Sequence, residues 1–186
     1  MNKEIERKWL VKGFPKEAEG IESRNLFVTY LCVVVNKTGE IVKEIRVRRD
    51  NGADRMLRLY TVNIDGDNNR WPDKITIKSG GGISRTEIET KLPDHKFFDD
   101  VVSESNVYPI HKEYKHWDKD GKKFEISKVD DLFYYAEVEF DSEEEAEAYE
   151  FPYPEILLKE VTDDSSFKMA MYWFNNRYGT GCYTIE

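Results

Sequence analysis

The sequence predicts a mostly β domain, a sandwich or a barrel with a few covering helices, on three observations. Segment after segment alternates charged with apolar residues at period two, the pattern of strands with two unlike faces. Clusters of Asn, Asp and Gly separate several of these segments. Only residues 93–103, 142–149 and 167–174 carry helix-like spacing.

Taken in order, residues 4–10 (Glu4-Ile5-Glu6-Arg7-Lys8-Trp9-Leu10) form the first strand. Residues 26–35 are a β-branched and aromatic run that stops at a turn over 36–39. Residues 42–49 contain Arg46-Val47-Arg48 and lead into an Asp50-Asn51-Gly52 turn, with 56–62 as the returning strand. The polar stretch 63–72, with Asp65-Gly66-Asp67, is a loop. Residues 74–78 and 85–90 flank a glycine-rich hairpin turn at 79–82. A helix over 93–103 has an apolar stripe of Phe97, Phe98 and Val101. Later strands are 108–114, 123–129, 134–140 and 156–162, with a short acidic helix at 142–149 and a final amphipathic helix at 167–174. There is no solenoid repeat or linker, and residues 1–186 read as one domain.

Apolar residues make up 39% and charged residues 35%, which indicates an ordered, charge-rich globule. No stretch is long enough to span a bilayer, and the charged first residues lack a secretory pattern. Cys32 and Cys182 are too few for a disulfide framework, so a soluble protein of the reducing cytoplasm is expected, as monomer or homodimer. A net charge of −9 argues against nucleic-acid binding. It leaves room for a small anion, because local clusters of Lys and Arg, helped by bound cations, outweigh the global sign at short range.

The faces of the strands say where those cations sit. Glu4, Glu6 and Lys8 share one face, as do Glu44, Arg46 and Arg48, Lys74, Thr76 and Lys78, and Arg85, Glu87 and Glu89. Later sets are Glu137 with Glu139 and Glu160 with Thr162, while opposite faces carry Ile45, Val47, Ile75, Ile77, Ala136, Val138, Phe140 and Val161. On any one strand such charge is an ordinary solvated face. Its recurrence with both signs mixed suggests a barrel whose charged face points inward and whose apolar face lies beneath helices. Carboxylates so crowded raise each other's pKa unless cations intervene. Oxygen-only clusters suit Mg²⁺ or Mn²⁺, and lysine and arginine suit phosphate oxygens.

Glu4-Ile5-Glu6-Arg7-Lys8 is similar to the E-x-E-x-K pattern that opens the CYTH, or triphosphate tunnel metalloenzyme, superfamily. The chain resembles that superfamily again at Arg46-Val47-Arg48, Thr76-Ile77-Lys78, Arg85-Thr86-Glu87-Ile88-Glu89, Lys112, Ala136-Glu137-Val138-Glu139-Phe140 and Glu160-Val161-Thr162. The resemblance implies an eight-stranded antiparallel tunnel that binds a triphosphate (inorganic triphosphate, ATP or similar) with Mg²⁺ or Mn²⁺. It implies Glu4, Glu6, Glu137 and Glu139 as metal ligands, with Glu87, Glu89 and Glu125 as outer partners. Lys8, Arg46, Arg48, Lys78, Arg85 and Lys112 would hold phosphate oxygens, and Tyr30, followed by Leu31, would pair with Lys8 in catalysis.

Some positions depart from the pattern. Tyr114 stands where the family often has arginine, with Lys115 beside it on the other face, and Ser127 where an acid is common. Val28-Thr29 replaces a Gln-Gly, and residues 55–72 are longer than in compact members. These departures weaken any carry-over of substrate preference. The expected activity is a metal-dependent triphosphatase. An adenylyl cyclase and a non-catalytic nucleotide- or polyphosphate-binding module are the alternatives.

Other features have plainer readings. His111 and His116 lack companion ligands and read as surface or structural residues. Ser79-Gly80-Gly81-Gly82 has no following Lys-Ser/Thr and reads as a turn. Tyr172, Trp173, Phe174 and Tyr178 read as packing, and 143–147 as a solvated helix face.

Overall fold

In the computed structural model the described residues are 2–57, 59, 72–80, 83–177 and 182–184. The two-faced segments form β1 (Asn2–Val11), β2 (Arg24–Val35), β3 (Ile41–Asp50), β4 (Lys74–Ser79), β5 (Ser84–Lys91), β6 (Ile110–Lys119), β7 (Lys122–Val129) and β8 (Phe133–Phe140). They pair antiparallel in the order β2-β3-β4-β5-β1-β8-β7-β6, and β6 pairs back onto β2, which closes an eight-stranded barrel. Outside it, β9 (Leu157–Glu160) pairs antiparallel with β1, and β10 (Cys182–Thr184) pairs parallel with β2. Asp120 and Gly121, with φ of 54° and 76°, make the tight turn between β6 and β7, where an Asp-Gly pair tolerates two left-handed residues.

Register places charges of different strands side by side. Lys8 lies opposite Glu137, Glu6 opposite Glu139, Glu4 opposite Arg85 and Lys78 opposite Glu87. In β2 a register shift between Tyr30 and Cys32 keeps both Tyr30, opposite Arg46, and Val33, opposite Glu44, on the inner face.

The apolar faces point outward beneath covers, as the alternation predicts. α1 (Lys96–Ser105) buries Phe98 and Val102 against Phe27 and Val47. This i, i+4 pair replaces the expected Phe97-Phe98-Val101 stripe, and Phe97 is exposed. Arg49 ties α1 to the barrel through Asp73 at 2.8 Å, Asp99 at 2.5 Å and the carbonyl of His95 at 2.7 Å. α2 (Glu143–Ala148) and the chain after it cover Trp9, Phe124 and Val138. Ser142 Oγ accepts the Glu145 amide at 3.1 Å and caps α2. Ser142→Ala is expected to cost about 1 kcal/mol of stability, measured by chemical denaturation.

The interior is not charged throughout. At one end the inner positions become apolar, and Val28, Ile110, Val129 and Tyr135 pack with Met169, Ala170 and Trp173 of α3 (Met169–Arg177). The charged lumen therefore ends blindly on a hydrophobic floor.

Met56, Leu57 and Leu59 are not in a strand, and the rest of the expected strand at 56–62 lies outside the described residues, as do 63–71 of the expected loop and Gly81-Gly82 of the expected turn. Among the described residues no helix is long and apolar enough to cross a membrane.

Candidate functional site: a charged blind tunnel

Exposure along the inner faces locates the mouth. On β6, Ile110 and Lys112 are buried, Tyr114 is half-buried and His116 is exposed. On β7, Val129 and Ser127 are buried, Glu125 is half-buried and Lys123 is exposed. The lumen thus deepens from the β6–β7 turn toward α3. Its cavity volume is about 280 Å³, just under the lower bound of roughly 300 Å³ typical of drug-sized sites, which suits a small ligand.

All the glutamates, lysines and arginines expected at the site line this cavity, and Tyr30 joins them. Among the described residues nine lysines and arginines face eight glutamates there, so the lumen is close to neutral within a chain of net charge −9. Opposite charges meet in pairs. Lys78 Nζ lies 2.6 Å from Glu4 and 2.7 Å from Glu87. Arg85 bonds Glu4 at 3.0 Å and also Glu6. Arg48 and Lys74 share Glu89 at 3.0 and 2.5 Å. Lys123 pairs with Glu125.

Lys8 Nζ is bonded to Glu137 at 2.9 Å and sits 3.8 Å from the centroid of the Tyr135 ring. No bond joins Lys8 to Tyr30 among the described residues. The Tyr30 ring packs on Trp173, and its hydroxyl is surrounded by Glu44, Arg46 and Arg85. Burial, reinforced by Glu44, raises the Tyr30 pKa. Burial alone would raise the Glu137 carboxyl, but Lys8 and Lys112 outweigh it and hold this carboxyl well below the usual range. Lys112 donates to the Tyr135 hydroxyl. Burial, with Lys8, Arg46 and Arg48 nearby, pushes Lys112 down to about 7 against the opposing pull of Glu137.

Among the described residues no three acidic, histidine or cysteine side chains form a ready metal cage. The donor chemistry nevertheless fits a hard divalent ion. Burial, with Glu125, Glu4 and Glu6 nearby, raises the Glu139 carboxyl against the pull of Lys123, a strain that a cation among these oxygens would relieve.

Several residues of the site lie outside the set that the motifs point to. Glu44 and Lys74 sat on the correct strand faces, and their alternation was the available signal. Tyr135, which contacts Lys8 and Lys112 without being among the lining residues, lies two residues before Glu137 on the same face. Lys168 enters just ahead of α3, and burial, with Arg85 nearby, lowers its pKa against Glu44 and Glu6. No local pattern announces it.

No protein-family model and no curated protein matches the chain. Similar solved structures include the hypothetical protein NE1496, 24% identical over 91% of this chain and 96% of that one, with a TM-score of 0.49. PH1819 from Pyrococcus horikoshii OT3 is 17% identical over 76% and 81%, with a TM-score of 0.48. A protein described as a "putative adenylate cyclase" from Bacillus halodurans is 16% identical over 79% and 86%, with a TM-score of 0.44. The closed eight-stranded barrel and its charged lumen fit the CYTH tunnel that the motifs resemble.

Proposed function

From the premise of a CYTH-type tunnel, we propose that the protein is a metal-dependent triphosphatase. It would release the terminal phosphate of inorganic triphosphate or of a nucleoside or thiamine triphosphate. The observation that carries this reading is the pairing inside the blind lumen, where cations suited to phosphate are held by carboxylates suited to a divalent metal. Glu4, Glu6, Glu137 and Glu139 would hold Mg²⁺ or Mn²⁺. Lys8, Lys78 and Arg85, released from those carboxylates, would take phosphate oxygens together with Arg46, Arg48 and Lys112. When bound, the ion offsets phosphate charge and polarises phosphorus.

The protonation states support the roles proposed for the remaining groups. Burial works against charge on Arg46 and Arg85, yet their neighbours prevail: Tyr30 and Glu44 for Arg46, Glu6 and Glu4 for Arg85. Both pKa values are raised, so both guanidiniums remain available to charge on the leaving phosphate. Lys8, bonded to Glu137, serves as a phosphate ligand in this arrangement. Tyr30, its pKa raised, is suited to donate a hydrogen bond to a phosphate oxygen rather than to act as a base.

The test is chromatography of products after incubation with triphosphate or ATP and Mg²⁺ or Mn²⁺. Orthophosphate, with pyrophosphate from triphosphate or ADP from ATP, is the expected result. Cyclic AMP with pyrophosphate would make the protein a cyclase, and tight binding without product would make it a binding module.

A further inference from the structure

One sector of the lumen differs from the rest. Leu26 and Val28 of β2, Tyr114 of β6 and Ser127 of β7 line the cavity without charge. Across β6–β7, Tyr114 lies opposite Ser127, and across β2–β6, Leu26 lies opposite Lys112, one step deeper, so the uncharged residues lie above and beside Lys112. The inner face of β6 then continues to the rim. Tyr114 stacks on His116 with ring centroids 5.7 Å apart and 19° between planes. Two residues along a strand advance about 7 Å. The aromatic ladder therefore starts one such step above buried Lys112 and ends at exposed His116. A triphosphate seated on the deep cations would leave any group esterified to its outer phosphate beside this ladder. Of the cations nearest this ladder, Arg24 is bonded to Asp50 at 2.6 Å and is not among the lining residues, and Lys123 sits exposed at the rim beside Glu125. A flat, weakly polar ring fits that sector better than a further phosphate does.

We propose that Tyr114 and His116 form a base-stacking site, so that this tunnel takes a nucleoside triphosphate in preference to inorganic triphosphate. The inference rests on the triphosphate reading above. Stacking a base on an aromatic side chain changes affinity by roughly 5- to 150-fold.

The experiment is calorimetric titration of the whole chain, with Mg²⁺, using two hydrolysis-resistant probes: the imido analogue of ATP and imidotriphosphate. The ATP analogue is expected to bind about tenfold more tightly. That ratio should fall about fivefold or more in Tyr114→Ala, fall less in His116→Ala, and persist in Tyr114→Phe. Circular dichroism checks the fold of Tyr114→Ala, and should that variant unfold, exposed His116→Ala decides. Equal binding by the wild type, or a ratio that survives both alanine variants, overturns the stacking site and leaves the triphosphate reading standing. Binding of neither probe overturns both.

Discussion

Glu6→Gln is expected to lower metal-dependent turnover of triphosphate about 100-fold or more without weakening metal-free binding of the same ligand. The two effects separate because Glu6 has two relations in the lumen. It is bonded to Arg85 and lies opposite Glu139, in the group of carboxylates that oppose one another's charge. Glutamine keeps the size and one acceptor oxygen but removes the charge a divalent ion needs. Arg85 keeps Glu4 at 3.0 Å, so the guanidinium does not lose its place. Meanwhile the lumen becomes one unit more positive and attracts a polyanion more strongly. Steady-state kinetics against Mg²⁺ or Mn²⁺ concentration, with calorimetry in chelator, read the two effects independently. Full activity in Glu6→Gln would remove Glu6 from the metal site. Loss of metal-free binding would make it a support for Arg85 instead.

The barrel was legible because inward charge is an unusual use of period-two alternation. An ordinary core would have reversed the faces, but here Ile5, Trp9, Val47 and Val138 are buried outward under covers while Glu4, Lys8, Arg46 and Glu137 point inward. Alternation assigns a face, not a depth. It therefore missed the point at which inner positions turn from charge to hydrocarbon, which depends on Trp173 and Met169 arriving from a distant helix. It also could not choose partners. Lys8 meets Glu137 because β1 pairs with β8 across 129 positions of sequence, and that register places Tyr30 elsewhere, against Arg46. Tyr114 stood out only as a departure from a pattern and His116 as a plain surface residue. Their stacking follows from i, i+2 placement on one strand face, a relation present in the sequence but silent until the direction of the mouth is known.

Lys112→Met is expected to stabilise the protein at pH 6–7 while weakening triphosphate binding. Lys112 is buried, and its pKa falls from 10.5 to about 7 through burial first and then Lys8, Arg46 and Arg48, with Glu137 opposing. Between about pH 7 and 10.5 the folded protein thus binds fewer protons at this site than the unfolded chain. Unfolding takes up a proton in that window, so the contribution of Lys112 to stability rises with pH there. Below pH 7 the site is charged in both states and the full penalty applies, on the order of 5 kcal/mol at about 1.4 kcal/mol per pKa unit. Methionine fills similar space without that penalty, Lys8 remains to hold Glu137 at 2.9 Å, and replacing buried charge by hydrocarbon is commonly stabilising. Denaturant unfolding should show the variant ahead of the wild type by a few kcal/mol at pH 6. The gap should narrow steadily toward pH 10. A triphosphate ligand should also narrow it, because it stabilises the wild type by bringing further negative charge to Lys112. A variant less stable than the wild type at pH 6 would show that Lys112 is well solvated or well paired in the free protein. A lysine kept deep in the lumen at such a cost fits the phosphate-binding role proposed for it, since packing alone is better served by methionine.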